Sequence, residues 1–176
     1  MSEETLPNKP KVRKNTLSAA PEKAVIKDNV GSAKAQKVAA RLAAVQVLYQ
    51  IKLNSQDAKS ALNDFIEHRI GFDLDGDVFV PADKDFLKDL VSGCISRDED
   101  ISSILEKGLA AGKKTSVEIL LESIIKLGIY ELLANSQVDA GIIINNYLNI
   151  TNGFYEGSET KIVNAILDKA AKQLRS

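Results

Sequence analysis

The last third of the chain confines it to a helical fold. Ile124-Ile125-Lys126-Leu127-Gly128-Ile129-Tyr130-Glu131-Leu132-Leu133, Ile142-Ile143-Ile144-Asn145 and Lys161-Ile162-Val163-Asn164-Ala165-Ile166-Leu167-Asp168-Lys169 are apolar stretches with isolated polar positions. Their spacing is that of helices buried over much of their surface. Thr115-Ser116-Val117-Glu118 reads as a capping box, the Thr oxygen accepting a first-turn N–H and Glu118 reaching back. It predicts a long helix ending near Asn135. A second is expected from about Asp139 to Asn152. The last is expected from Ser158 as N-cap, with Ile162, Val163, Ile166, Leu167, Ala170 and Leu174 inward.

The preceding segments follow the same rule. Val38, Leu42, Val45 and Tyr49 recur at i, i+4, i+7 and i+11, one stripe of a helix that Ala44, Val47, Leu48 and Ile51 widen. Asn54-Ser55 ends it. Asp57 to Arg69 forms the next helix, stopped by Gly71. Pro81 opens another, with Phe86, Leu87, Leu90, Val91, Cys94 and Ile95 on its core face. Ile101, Ile104, Leu105 and Leu109 mark a shorter one after the charged break Arg97-Asp98-Glu99-Asp100. The only alternating stretch, Asp77-Val78-Phe79-Val80, is too short to build a sheet. The expected fold is all-α, with about seven helices in two fused bundles, roughly 34–97 and 98–176. Residues 1–33 hold three of the four prolines and no apolar period, the composition of a disordered tail.

Charge is unevenly placed. The chain as a whole carries −1, but residues 1–37 carry eight Lys/Arg against four acids, net +4. A basic arm on a mildly acidic body points to a polyanionic partner. The single cysteine, Cys94, excludes an internal disulfide, and with one histidine, His68, no Cys/His metal cluster can form. Asp73, Asp75 and Asp77 imitate a calcium loop, but Val78 stands where the glycine belongs and Lys84 where the closing Glu belongs. Phosphate loops, nucleophile elbows and paired zinc histidines are missing, so no enzyme and no cofactor is expected. No run of about 18 apolar residues suggests a membrane span, and no apolar leader follows Met1, so the expected compartment is the cytoplasm.

Arg41-Leu42-Ala43-Ala44-Val45-Gln46-Val47-Leu48-Tyr49-Gln50, Tyr130-Glu131, Ile144-Asn145 and Val163-Asn164 followed by Leu167-Asp168-Lys169 occur in an order and spacing that resemble the NusB family of bacterial transcription antitermination factors. The resemblance covers about Lys34 to Arg175. It implies an all-helical, non-catalytic protein that binds boxA RNA as a single strand. The co-binder it implies is NusE, a small-subunit ribosomal protein, with other Nus factors and RNA polymerase reached indirectly. A second reading is a free-standing NusB-like adaptor, akin to the helical domain that precedes ribosomal RNA cytosine methyltransferases.

The same resemblance assigns sites. Its RNA-contacting basic segment matches Lys34, Lys37 and Arg41, which alternatively form a solvated helix face. RNA-facing aromatics match Tyr49 and Phe154. For Tyr49 core packing competes, whereas Phe154 lies in the glycine-flanked loop 152–157. Ser158 stands where the family often has an acid, Ile162 where it has an aromatic, Asn146 where it has Glu, and Lys126 where it has Arg. Lys126, Tyr130 and Glu131, polar groups on an apolar helix, are the expected protein-binding residues, with Tyr130 as anchor, if not core, and Glu131 as rim group.

Overall fold

A computed structural model describes residues 31–70, 80–109 and 117–175. It contains α1 (Ala33–Asn54), α2 (Ala58–His68), α3 (Lys84–Ser96), α4 (Asp98–Gly108), α5 (Ile119–Ala134), α6 (Ala140–Phe154) and α7 (Ser158–Leu174), with no strand among the described residues. The fold is all-α, as the periodicities predict. Most of the expected tail, residues 1–30, and the acidic turn at 73–77 lie outside the described residues.

Short polar side chains start four of the helices. Ser32, Asp57, Asp83 and Asp139 accept the N–H of Ala35, Ser60, Phe86 and Gly141 at 3.2, 2.9, 3.0 and 2.8 Å. Each removes one unpaired donor from a first turn. Asp83 therefore starts α3 at Lys84, three residues beyond the expected Pro81. The expected capping box is displaced too: Glu118 is itself the N-cap residue of α5, and its carboxylate accepts the Tyr155 hydroxyl at 3.0 Å. Thr115 and Ser116 lie outside the described residues. Gly157, at φ 116°, precedes α7, so Ser158 is the first helical residue and not the cap.

Helix α5 is the axle of the molecule. It is apolar nearly all round and packs against α1, α3, α4, α6 and α7. Ile124, Ile125, Leu127, Ile129 and Leu132 are at most 1 % exposed. A helix with no polar face has no stable place except the interior. Arg41 meets Glu131 and Lys52 meets Glu122, so α1 runs antiparallel to α5. Tyr147 meets the same Glu131 and Tyr155 meets Glu118, so α6 is antiparallel to α5 as well and parallel to α1.

Which face of α1 turns inward differs from the stripe read in the sequence. Ala40, Ala43, Ala44, Val45, Val47 and Leu48 are buried, whereas Val38 and Leu42 are exposed at 42 % and 38 %. Small side chains let α1 approach its neighbours closely, and the alanine side wins the contact. Ile95 and Ile162, also expected inward, are exposed.

Candidate nucleic-acid interface

The start of α1, Phe86 of α3 and the α5–α6 junction enclose an open groove of about 430 Å³. Lys34, Lys37, Asn135 and Asn146 line it with the apolar Val38 and Ile142, and the buried Arg41 and Glu131 reach it from within. The structure thus brings together Lys34, Lys37, Arg41 and Glu131, which the sequence reading divided between two functions.

Arg41 is buried. Its Nε donates to Glu131 Oε2 at 2.9 Å and its Nη2 to Oε1 at 2.5 Å, a two-pronged pair across the α1–α5 contact. Tyr147 of α6 donates its hydroxyl to the same carboxylate at 3.0 Å. Phe86 carries the guanidinium 5.0 Å from its ring centroid and the Lys37 ammonium at 5.6 Å, both in cation–π range. Burial disfavours the Arg41 charge, but the hydrogen bond and charge of Glu131 outweigh it and hold the guanidinium above its ordinary pKa. Burial, then the Glu131 charge, pushes the Tyr147 phenol well above its ordinary value.

The expected protein-binding trio is buried: Glu131 is fully enclosed, and Tyr130 and Lys126 are each 6 % exposed. Each ties α5 to another helix. Lys126 Nζ donates to Asp98 at 2.7 Å and Ser102 at 2.9 Å on α4. Tyr130 donates its hydroxyl to Asp89 of α3 at 3.1 Å. Glu131 joins α1 to α6. Burial lowers the Lys126 ammonium less than Asp98 and Glu122 raise it, so it stays charged.

Tyr49, Phe154 and Ser158 lie away from the groove, toward the other end of α1. Phe154 ends α6, Ser158 begins α7, and Thr160 donates to Asn152 across this corner at 2.6 Å. Phe154 is 43 % exposed, Ser158 is exposed, and Tyr49 is half-buried. Tyr155 bonds Glu118 at the start of α5, the end where Lys52 of α1 pairs with Glu122. A basic groove and an aromatic corner thus occupy opposite ends of the α1–α6 side, with Lys34 and Tyr49 about 22 Å apart along α1.

Sequence reasoning missed Phe86, Asn135, Val138, Ile142 and Asn146 as lining residues. Phe86 carries only a core signal in the period of α3. Asn146 was visible as a departure from the family pattern, but nothing local placed it on a groove.

Comparison with known proteins agrees with this architecture. The family model described as NusB family matches residues 38–172. The transcription antitermination protein NusB of Rhodopseudomonas palustris (strain BisB18) is 34 % identical over 139 residues, covering 78 % of this chain and 82 % of that one. The protein of the same name from Maricaulis maris (strain MCS10) is 36 % identical over 138 residues, covering 78 % and 86 %. Among solved structures, a complex of antitermination factors NusB and NusE with double-stranded RNA superposes with a TM-score of 0.66 at 21 % identity, covering 81 % of this chain and 99 % of that one. A T. maritima NusB superposes at 0.65, with 20 % identity over 78 % and 91 %. With its helical body matched almost from end to end, the chain belongs to the NusB family.

Proposed function

We propose that this chain is a non-catalytic transcription antitermination factor that binds boxA-type leader RNA together with NusE and acts in the cytoplasm. The observation that carries the reading is the match to NusB proteins over most of both chains. The same coverage disfavours the adaptor reading, because those relatives are antitermination proteins over nearly their whole length. A fold relative solved with NusE and RNA supports the pair of partners.

In this reading Lys34 and Lys37 neutralise phosphates along the groove. Phe154, with Tyr49 and Ser158 toward the same end, offers a surface on which unstacked bases lie, as single-stranded RNA recognition requires. Lysine contacts of this kind position the strand without reading its sequence. Two phosphate contacts give a slope of log affinity against log salt of about −1.4 for a single strand.

A titration of the full chain against boxA-type RNA at several salt concentrations, with and without NusE, tests this. NusE is expected to tighten binding, and Phe154→Ala to cost about 1–3 kcal/mol through lost stacking. No detectable binding at low salt with NusE present would sink the reading.

A further inference from the structure

Three basic residues line the groove, but their charges are not equivalent. Lys34 and Lys37 are exposed, and neither joins an ion pair among the described residues. Arg41 is matched inside the protein. Two of its nitrogens are engaged by Glu131 and its guanidinium lies against Phe86. A phosphate arriving at Arg41 would have to displace a carboxylate held at 2.5 and 2.9 Å, or sit beside its negative charge. Either route forfeits a desolvated, two-pronged pair for a wetter one.

The same pair lies where three elements meet. Glu131 is on α5, Tyr147 on α6 and Arg41 on α1, one turn after Lys37 on the same face of the helix. Phe86 links that turn of α1 to α3, and the Asp83 N–H donates to the Gln36 carbonyl at 3.1 Å beside it. We propose that Arg41 is a positioning residue for RNA binding and not a phosphate contact: clamped to Glu131, which Tyr147 holds in turn, it seats the start of α1 so that Lys34 and Lys37 face along the groove. This inference rests on the RNA-binding reading above.

Salt dependence separates the roles, because only a group that displaces a counterion from phosphate changes the slope. The full-length chain, with NusE, is titrated with boxA-type single-stranded RNA across a salt series. Lys37→Gln serves as the control and should flatten the slope by about 0.7. For folded Arg41→Gln the expected result is the wild-type slope with affinity lowered about three- to tenfold, up to about 1.4 kcal/mol. A slope flattened by about 0.7 would make Arg41 a phosphate contact and overturn the proposal. Unchanged affinity in the folded variant would make Arg41 merely structural and overturn it equally.

Removing one partner of a buried pair strands the other, so Arg41→Gln can fail to fold. The triple variant Arg41→Met, Glu131→Leu, Tyr147→Phe replaces the whole network with apolar groups of similar size. Such exchanges are often neutral for stability. It should bind with the wild-type slope and an affinity within about threefold of wild type, because the seat is kept and no phosphate contact is lost. A flattened slope in the triple variant overturns the proposal even if the single variant never folds. Absence of RNA binding by the wild-type chain under these conditions removes the functional reading itself, and the inference with it.

Discussion

Glu122 is a carboxylate through which acid should loosen the fold. It accepts from Lys52 of α1 at 2.7 Å and lies 3.2 Å from Lys126 on its own helix. Burial favours its neutral form, but Lys52 and Lys126 overcome this and hold its pKa below the ordinary value. A depressed native pKa means stability that is present above the unfolded value, near 4.3, and is lost as pH falls through the native one. Denaturant unfolding from pH 7 down to pH 3 should show this loss, and Glu122→Gln should show a smaller drop over the same interval. An acid limb identical in the two proteins would assign the effect elsewhere. For Cys94 burial dominates: desolvation, against the nearby Lys126 charge, pushes its thiol up to about 12, so it is inert at neutral pH, as its apolar run predicts.

At the scale of elements, α3 receives a side chain of α5 directly on its backbone. A Cβ built on Gly93 would lie 2.0 Å from the Tyr130 hydroxyl oxygen and 2.1 Å from Cζ. The ring of Tyr130 is therefore seated on the bare backbone of α3, which is why a glycine is tolerated inside a helix there. Gly93→Ala should destabilise by about 1–3 kcal/mol through overpacking, despite the higher helix propensity of alanine. In a Tyr130→Leu background the same substitution should cost much less, and equal costs in the two backgrounds would show that the ring is not the obstacle. A Cβ built on Gly128 would meet Leu167 Cδ2 at 2.8 Å, but the end of a leucine can move aside. At the C-terminal end of α5, the Arg175 guanidinium bonds the carbonyls of Leu132, Asn135 and Val138. One basic side chain thus satisfies the Leu132 carbonyl, which the last turn of the helix leaves unpaired, and ties down the turn that follows.

For the whole molecule, one core decides the behaviour. The buried apolar residues of α1–α7 form a continuous cluster around α5, and α1 packs directly on α5 and α6. Separating the N-terminal helices from the C-terminal ones would expose the faces of α1 and α5 together and strand Glu131. Unfolding is therefore expected to be a single transition. The chain has no tryptophan, and its four tyrosines are spread over α1, α5, α6 and the segment after α6. Tyrosine fluorescence and far-ultraviolet circular dichroism should give coincident denaturation curves. Two resolved midpoints would mean that the halves fold independently.

The sequence by itself determined the existence and order of the seven helices and the family. Helical periodicity and apolar content are local properties, read within a turn or two of the residue concerned. Tertiary structure alone decided which stripe of α1 is buried and what the polar residues of α5 do. A Lys, Tyr or Glu inside an apolar helix is compatible with a partner surface or with an internal tie, and local spacing is the same for both. The partner of Glu131 stands 90 positions away, and that of Lys126 stands 28 positions away. Only the packing of α1 and α4 onto α5 brings those charges within bonding distance. For the same reason Phe86 and Asn146 became visible as groove residues only once four helices had converged.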